Sequence, residues 1–426
     1  MAATGSSRAP LGRFGIEREV SCLVLVVGYR DGTRPERPIH IQYIAIMKTN
    51  SDTTPQLYIG LDVHKAKTSV AVADPGSTGE IRHHGEVATT QVALDRLIRR
   101  IAKARAIPLA RIAVCYEAGG CGMWIARNLL KMQVQCTVVA PSLIPTKAGD
   151  HVKTDKKDAI KLARLLRAGE LVSVFVPDET DEAIRDLCRA RVDAVDDRRR
   201  AKSRLLALLR RLGFNYTGKS TWTEAHKRYL RELNVPFPAH RVIIEELIGQ
   251  IDHLDERIAR YESHMEQLYE DWCRKPVVDA MMGLKGFQLI SAMMVVSEIG
   301  DFVRFSHPRQ LMAYLGLTPG EYSSGGKSTR TGISKCGNSH ARWILIESAT
   351  HYRKEPRVGA QLSRRQIGLS RWIRERSWSA QNRLYLRSTS LRKRLMHHNK
   401  IKVALARELA GVVWEIGFRI QSGQVK

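Results

Sequence analysis

The chain has 426 residues, room for two or three domains, and its 43% hydrophobic content is ample for ordinary cores. Lys and Arg number 69 against 43 Asp and Glu, a formal charge of +26. A folded chain this basic repels itself unless it meets a polyanion, so nucleic acid is the expected partner, against a soluble basic protein with solvated charge. The seven cysteines are scattered and form no CxxC pair, which argues against zinc fingers and a disulfide framework and fits a reducing cytoplasm.

Residues 1–46 are rich in Arg, Gly, Pro and Ser and show no sustained period. They read as an upstream extension of the reading frame, disordered or loosely attached, with Met47 offering a start. An edge strand over Val20 to Val27 is the alternative. The apolar run Cys22–Gly28 is too short to span a bilayer and lacks a small-residue cleavage site, so neither membrane nor export is expected.

From residue 56 to 177 the pattern is α/β. Tyr58 to Asp74 reads as two short strands joined by a polar turn, and His83 to Val87 as a third. Gln91 to Ala106 spaces Val92, Leu94, Leu97, Ile98 and Ile101 as a helix does. Ile112 to Glu117 is a buried strand ending in an acid, Met123 to Met132 a helix, and Cys136 to Ala140 a strand stopped by Pro141. Thr154 to Ala168 is a strong helix. Alternating strands and helices imply a sheet covered by helices.

Residues 178–275 turn helical and highly charged. Ala183 to Leu212 is helical and carries Leu187, Val192, Val195, Leu205, Leu206 and Leu209. Arg241 to Tyr269 sets Ile243, Leu247, Ile251, Leu254 and Ile258 close to heptad spacing; a helical hairpin or coiled coil is the natural reading. Residues 276–426 are mainly α. There Gly283-Leu-Lys-Gly286 precedes the helical Leu289 to Ile299, a turn that can present backbone amides to a phosphate. A polar Gly/Ser segment, Tyr322 to Arg330, reads as a flexible loop. The last segment is very basic and ends in an apolar helix, Val403 to Ile416.

Three groups of residues can do chemistry. Asp62 sits inside an apolar strand, either as an ordinary strand-end acid or as a ligand, because a buried charge needs a partner. With Glu117 at a later strand end, and Asp155 and Asp158 on one helix face, it can form a carboxylate set suited to Mg²⁺ or Mn²⁺. Taken singly, Asp155 is a helix N-terminal acid and Asp158 a partner for Lys161. Second, Ser323, Ser324 and Ser328 lie among Lys327 and Arg330, where a hydroxyl can meet a phosphate beside cations; a solvated loop is the plainer reading. Third, Arg364, Arg365, Arg371, Trp372, Arg374, Arg376, Trp378, Arg383 and Arg387 form a basic, aromatic stripe fit to grip nucleic acid, although the tryptophans serve equally as core.

These residues stand in motifs: Tyr58-Ile-Gly-Leu-Asp-Val-His-Lys65, Tyr116-Glu-Ala-Gly119, Val138-Val-Ala-Pro-Ser142 and Val152-Lys-Thr-Asp-Lys-Lys-Asp-Ala-Ile-Lys-Leu-Ala163. Arg309-Gln-Leu-Met-Ala-Tyr-Leu-Gly-Leu-Thr-Pro319, Tyr322-Ser-Ser-Gly-Gly326, Gly332-Ile-Ser-Lys335 and Ala406-Arg-Glu-Leu-Ala410 follow. In this order and spacing, over roughly 56–418, the chain resembles the IS110-family transposases, in particular the IS1111-like branch. Residues 1–46 have no counterpart in that resemblance.

The resemblance implies an α/β RNase H-like (RuvC-like) DEDD domain, a helical coiled-coil linker and a mainly α C-terminal domain with a catalytic serine. The family's acids map onto Asp62, Glu117, Asp155 and Asp158 and its serine onto Ser324, with Ser323 a neighbouring hydroxyl. Lys65, Lys153, Lys327, Arg330, Lys335, Arg371, Arg374 and Arg383 are expected to contact nucleic acid. Implied too are Mg²⁺ (or Mn²⁺), DNA as substrate, a bridge-type guide RNA from the element and a homo-oligomer, dimer to tetramer, acting at the nucleoid. The implied reaction is attack of Ser324 on a DNA phosphorus, giving a covalent phosphoserine. A RuvC-like structure-selective nuclease using metal-activated water is the alternative; a catalytically silent binding protein fits poorly with four acids and a serine in place.

Overall fold

The computed structural model describes residues 54–145, 154–324 and 327–425, with backbone alone at 322–324, 327, 328 and 330. The expected extension 1–46 and Lys153 lie outside the described residues. Everything described belongs to the unit Gln42–Lys426.

Strand β1 (Leu57–Val63) turns back through β2 (Lys67–Ala73) and β3 (Ile81–Ala88) as an antiparallel meander. Helix α1 (Gln91–Arg105) leads to β4 (Ile112–Glu117), which pairs parallel to β1. Helix α2 (Trp124–Lys131) crosses to β5 (Gln135–Val139), parallel to β4. The sheet order is β3-β2-β1-β4-β5. Period-two alternation sorts the two faces. Leu57, Ile59, Leu61, Ile112, Val114 and Tyr116 pack with α1 and α2. The opposite face carries Gly60, Ala71 and Ala73, and its small residues let α3 (Asp155–Ala168) lie close through Ala159 and Ala163.

Helix α4 (Glu179–Arg211), capped by Asp178, leads through α5 (Glu224–Glu232) to α6 (Pro238–Glu270). The pairs Arg191–Glu262 and Arg198–Asp255 show that α4 and α6 run antiparallel. Leu205, Leu208, Leu209, Leu230, Ile244 and Ile251 fill one end of this helical hairpin, and Ala194, Leu254 and Ile258 its middle. At its base Ile184, Cys188, Met265 and Tyr269 join the largest core.

That core is built by α7 (Lys275–Met282), α8 (Leu289–Ile299) and α9 (Pro308–Tyr314), then α10 (Ser339–Ala349), α11 (Ala360–Arg365), α12 (Arg371–Lys393) and α13 (His398–Gln421). Between α9 and α10 the Gly/Ser segment, expected as a flexible loop, forms an antiparallel hairpin: β6 (Pro319–Ser324) with β7 (Lys327–Ile333). Ser324 faces Lys327 across the ladder. Among the described residues no helix is long and apolar enough to cross a membrane.

Candidate active site

Gly60 determines where α3 sits. A Cβ there would lie 2.3 Å from the Ala159 carbonyl oxygen and 2.5 Å from the Ala163 nitrogen, so helix and strand meet backbone to backbone. The close approach carries the first turn of α3 over the end of β1. Thr154 caps that turn, its Oγ1 accepting from the Lys157 amide at 3.3 Å, and Asp155 and Asp158 lie within it. Carboxylates are favoured there by the exposed amides and the helix dipole.

Asp62 lies on the same sheet face as Gly60, its side chain only 15% exposed. Glu117, one residue beyond the Leu61–Tyr116 pair on β4, shares that face with Cys115, whose thiol donates to the Leu162 carbonyl of α3. The four sequence-predicted acids thus gather at one end of one face. The tightest set differs from the expected one. His64 Nε2 stands 3.3 Å from Asp62 Oδ2 and 3.5 Å from Asp155 Oδ1, and these three donors lie within 4.8 Å of one another. Glu117 and Asp158 are not part of that mutually close set.

Burial pushes the Asp62 carboxyl above its ordinary value; the His64 imidazole opposes this, and the Asp158 and Asp155 carboxylates add to it. Two carboxylates and an imidazole in mutual reach suit a small divalent cation. A second set, Asp178, Asp181 and Cys273, has a structural explanation. Asp178 caps α4, and the buried Asp181 accepts from Trp272 Nε1 at 2.8 Å and Arg274 Nη2 at 2.9 Å.

His64 escaped the sequence reading of the site. It is a polar residue two positions beyond Asp62, just past the end of β1, and the sequence marked it only by that spacing and by its place in the Tyr58–Lys65 motif.

The serine hairpin is pinned at its base. Cβ atoms on Gly316 or Gly337 would lie 2.2 Å from the Cys336 oxygen or 2.1 Å from the Tyr314 oxygen, and both glycines have positive φ. Arg342 Nη1 donates to the Leu315 oxygen at 2.8 Å and to the Cys336 oxygen at 3.0 Å. Beneath lies Glu298 of α8, whose carboxylate accepts from Arg189 of α4 at 2.7 and 2.9 Å and from Asn338 Nδ2 at 2.7 Å. Asn338 also caps α10, accepting from the Ala341 amide at 2.9 Å. Burial disfavours the Glu298 anion, but these bonds outweigh it and hold its carboxyl below the ordinary value. The Ser324 backbone ends β6, while its side chain and those of Ser323, Lys327 and Arg330 fall outside the described residues.

Of the other basic candidates, Lys65 is exposed beside His64, and Lys335 is exposed at the hairpin base with φ 56°. On α12, Arg371 pairs with Glu375 one turn on, and Arg374 is exposed. Arg383 and Arg387 meet Glu408, and Arg376 meets Glu415, tying α12 to α13. Trp372 packs on the core under Arg419, whereas Trp378 is 46% exposed.

Two family descriptions match the regions that carry these features. One, a DEDD model of the IS110 group described as transposase, spans residues 59–214 and contains all four acids. The other, described as transposase of the IS116/IS110/IS902 family, spans 278–362 and contains the serine hairpin. The chain is 42% identical over 361 residues to a putative transposase, y4qE, of Sinorhizobium fredii, covering 85% of this chain and 88% of that protein. It is 28% identical to the transposase for insertion sequence element IS1533 of Leptospira borgpetersenii, covering 58% of this chain and 70% of that one. With the transposase for insertion sequence element IS1111A of Coxiella burnetii it shares 26% identity, over 55% of this chain and 64% of that one. With that likeness spanning both the acidic sheet end and the serine hairpin, the chain belongs to the IS110 family of transposases, enzymes that act on DNA.

Proposed function

We propose that the protein cuts and rejoins DNA at the ends of an insertion sequence through a covalent bond to Ser324. The observation that carries this reading is the seating of the α3 first turn over Asp62, which gathers acids at one sheet end, while a separate hairpin pinned at its base has Ser324 as the last residue of its first strand. In this reading 56–177 is a RuvC-like DEDD domain, 178–275 a coiled-coil region and 276–426 the serine-bearing domain. The strand order β3-β2-β1-β4-β5 supports the RNase H-like assignment.

Asp62 and Asp155, with Glu117 and Asp158 beside them, would hold Mg²⁺ or Mn²⁺. A divalent cation bound there supplies charge stabilisation to the scissile phosphate. Ser324 Oγ attacks phosphorus; the Oγ–P bond forms and the P–O3′ bond breaks. The serine gives up its proton, and the departing 3′ oxygen gains one. The reverse attack by a 3′ hydroxyl rejoins the strand and frees the serine, so the cleaved linkage is stored with no nucleotide cofactor. Lys65, Lys335, Arg371, Arg374 and Arg383 would hold phosphates, with Lys153, Lys327 and Arg330 beside them in sequence. An element-encoded guide RNA and a dimer or tetramer, one subunit's acids meeting another's serine, complete the reading; it places the enzyme at the nucleoid.

The test incubates the protein with element-end DNA, the flanking non-coding RNA and Mg²⁺, followed by denaturing electrophoresis. The wild type forms a denaturation-resistant protein–DNA adduct, and Ser324→Ala and Asp62→Asn form none. Normal strand cleavage by Ser324→Ala would favour a nuclease that uses water.

A further inference from the structure

We infer that His64 is a direct ligand of the divalent cation held beside Asp62 and Asp155, and that its nitrogen tilts this site toward Mn²⁺ over Mg²⁺. The inference rests on the acidic-site reading above and deepens it.

The distances carry the argument. Nε2 of His64 lies 3.3 Å from Asp62 Oδ2 and 3.5 Å from Asp155 Oδ1. Around an ion bound at about 2.1 Å in octahedral geometry, adjacent donor atoms stand roughly 3 Å apart. The imidazole therefore already occupies the separation of a neighbouring ligand from each carboxylate, whereas Glu117 lies outside the close set.

The residue is also held in place. The His64 amide donates to the Lys67 oxygen at 3.0 Å, closing the β1–β2 turn. Its carbonyl accepts from Thr89 Oγ1 at 2.8 Å, and that hydroxyl lies 2.8 Å from Thr68 Oγ1. The ring projects from a fixed backbone yet is 56% exposed, open to an ion arriving from solvent.

The donor set then decides the metal. Mg²⁺ takes oxygen ligands and keeps several waters, while Mn²⁺ is less strict in geometry and binds mixed N/O sites more tightly. An all-carboxylate site lacks this bias; one imidazole introduces it. The competing use of the same geometry is ion pairing, in which a protonated His64 merely neutralises the two acids. That use keeps the cation out of reach of the nitrogen, so the two differ in what the metal touches.

The experiment uses the full chain with Mn²⁺ alone as probe, followed by pulsed electron paramagnetic resonance and by direct titration with Mn²⁺ and with Mg²⁺. The wild type should show ¹⁴N coupling from one imidazole at bound Mn²⁺. His64→Ala should lose that coupling and weaken Mn²⁺ binding about tenfold or more, with Mg²⁺ affinity changing less than about threefold. His64→Gln, which restores an oxygen donor, should recover affinity without nitrogen coupling and with the Mn²⁺ preference reduced. Bound Mn²⁺ without ¹⁴N coupling, in a protein whose Asp62→Asn variant no longer binds it, overturns the role of His64 and leaves the acidic site standing. Absence of Mn²⁺ binding in the wild type, or unchanged binding in Asp62→Asn, overturns both.

Discussion

At Gly60 the chain has no room for a side chain, because the α3 backbone lies 2.3 Å from where a Cβ would stand. Gly60→Ala must push α3 away or distort β1. Overpacking of this kind costs about 1–3 kcal/mol. We expect a lower unfolding midpoint in urea and weaker Mn²⁺ binding, since Asp155 moves with the helix. Unchanged values for both would show that α3 is placed by something else. Asp62 was legible from sequence because an acid among Tyr58, Ile59, Leu61 and Val63 breaks an apolar run. Gly60 and His64 were not. A glycine in a strand does not reveal which helix approaches it, and a histidine next to a polar turn looks like surface until Asp155 arrives from a distant helix.

At the scale of elements, the buried Glu298 links α4, α8 and the start of α10 beneath the serine hairpin. Glu298→Ala leaves Arg189 and Asn338 without their acceptor. Breaking a buried pair costs about 3–5 kcal/mol, and Arg189 keeps enough solvent contact to place the loss nearer 2–3 kcal/mol. Thermal or urea unfolding reads this directly; a loss under about 0.5 kcal/mol would exclude the network as a support. The pH dependence has a fixed sign. Glu298 is held below its ordinary value in the folded state, so its contribution is present above the ordinary glutamate range. It is lost as pH falls through the lower folded value. Glu298→Gln should therefore be less stable at neutral pH and lose less on acidification than the wild type; parallel curves would contradict this.

Strand β4 and helix α8 match their sequence-predicted bounds, 112–117 and 289–299, because sharp apolar runs meet clear stop residues. The hairpin β6–β7 does not match, since Gly and Ser composition says loop while strand formation depends on register between partners. The Glu298–Arg189 pair spans 109 positions, a separation no local pattern reports.

For the whole molecule, the formal charge of +26 was the first sign of a polyanionic partner, and family membership makes that partner DNA. Charge alone does not tell which cations face it. The structure divides α12 between exposed Arg374 and Arg376, which ties the helix to Glu415 of α13. Each phosphate contact contributes about 0.9 to the slope of log affinity against log salt. Arg374→Ala should lower that slope by about 0.9 with stability unchanged. Arg376→Ala should leave the slope alone and lower stability. The reverse pattern would assign the two arginines the opposite way.

In the proposed reaction Ser324 holds the cleaved DNA covalently beside the acidic sheet end. The direct measurement is mass spectrometry of the protein–DNA adduct after nuclease and protease digestion. A nucleotide attached by a phosphodiester to the Ser324 peptide is the predicted result. A nucleotide on Ser323 or any other residue, or cleaved DNA with a free 5′ phosphate and no adduct, would contradict it.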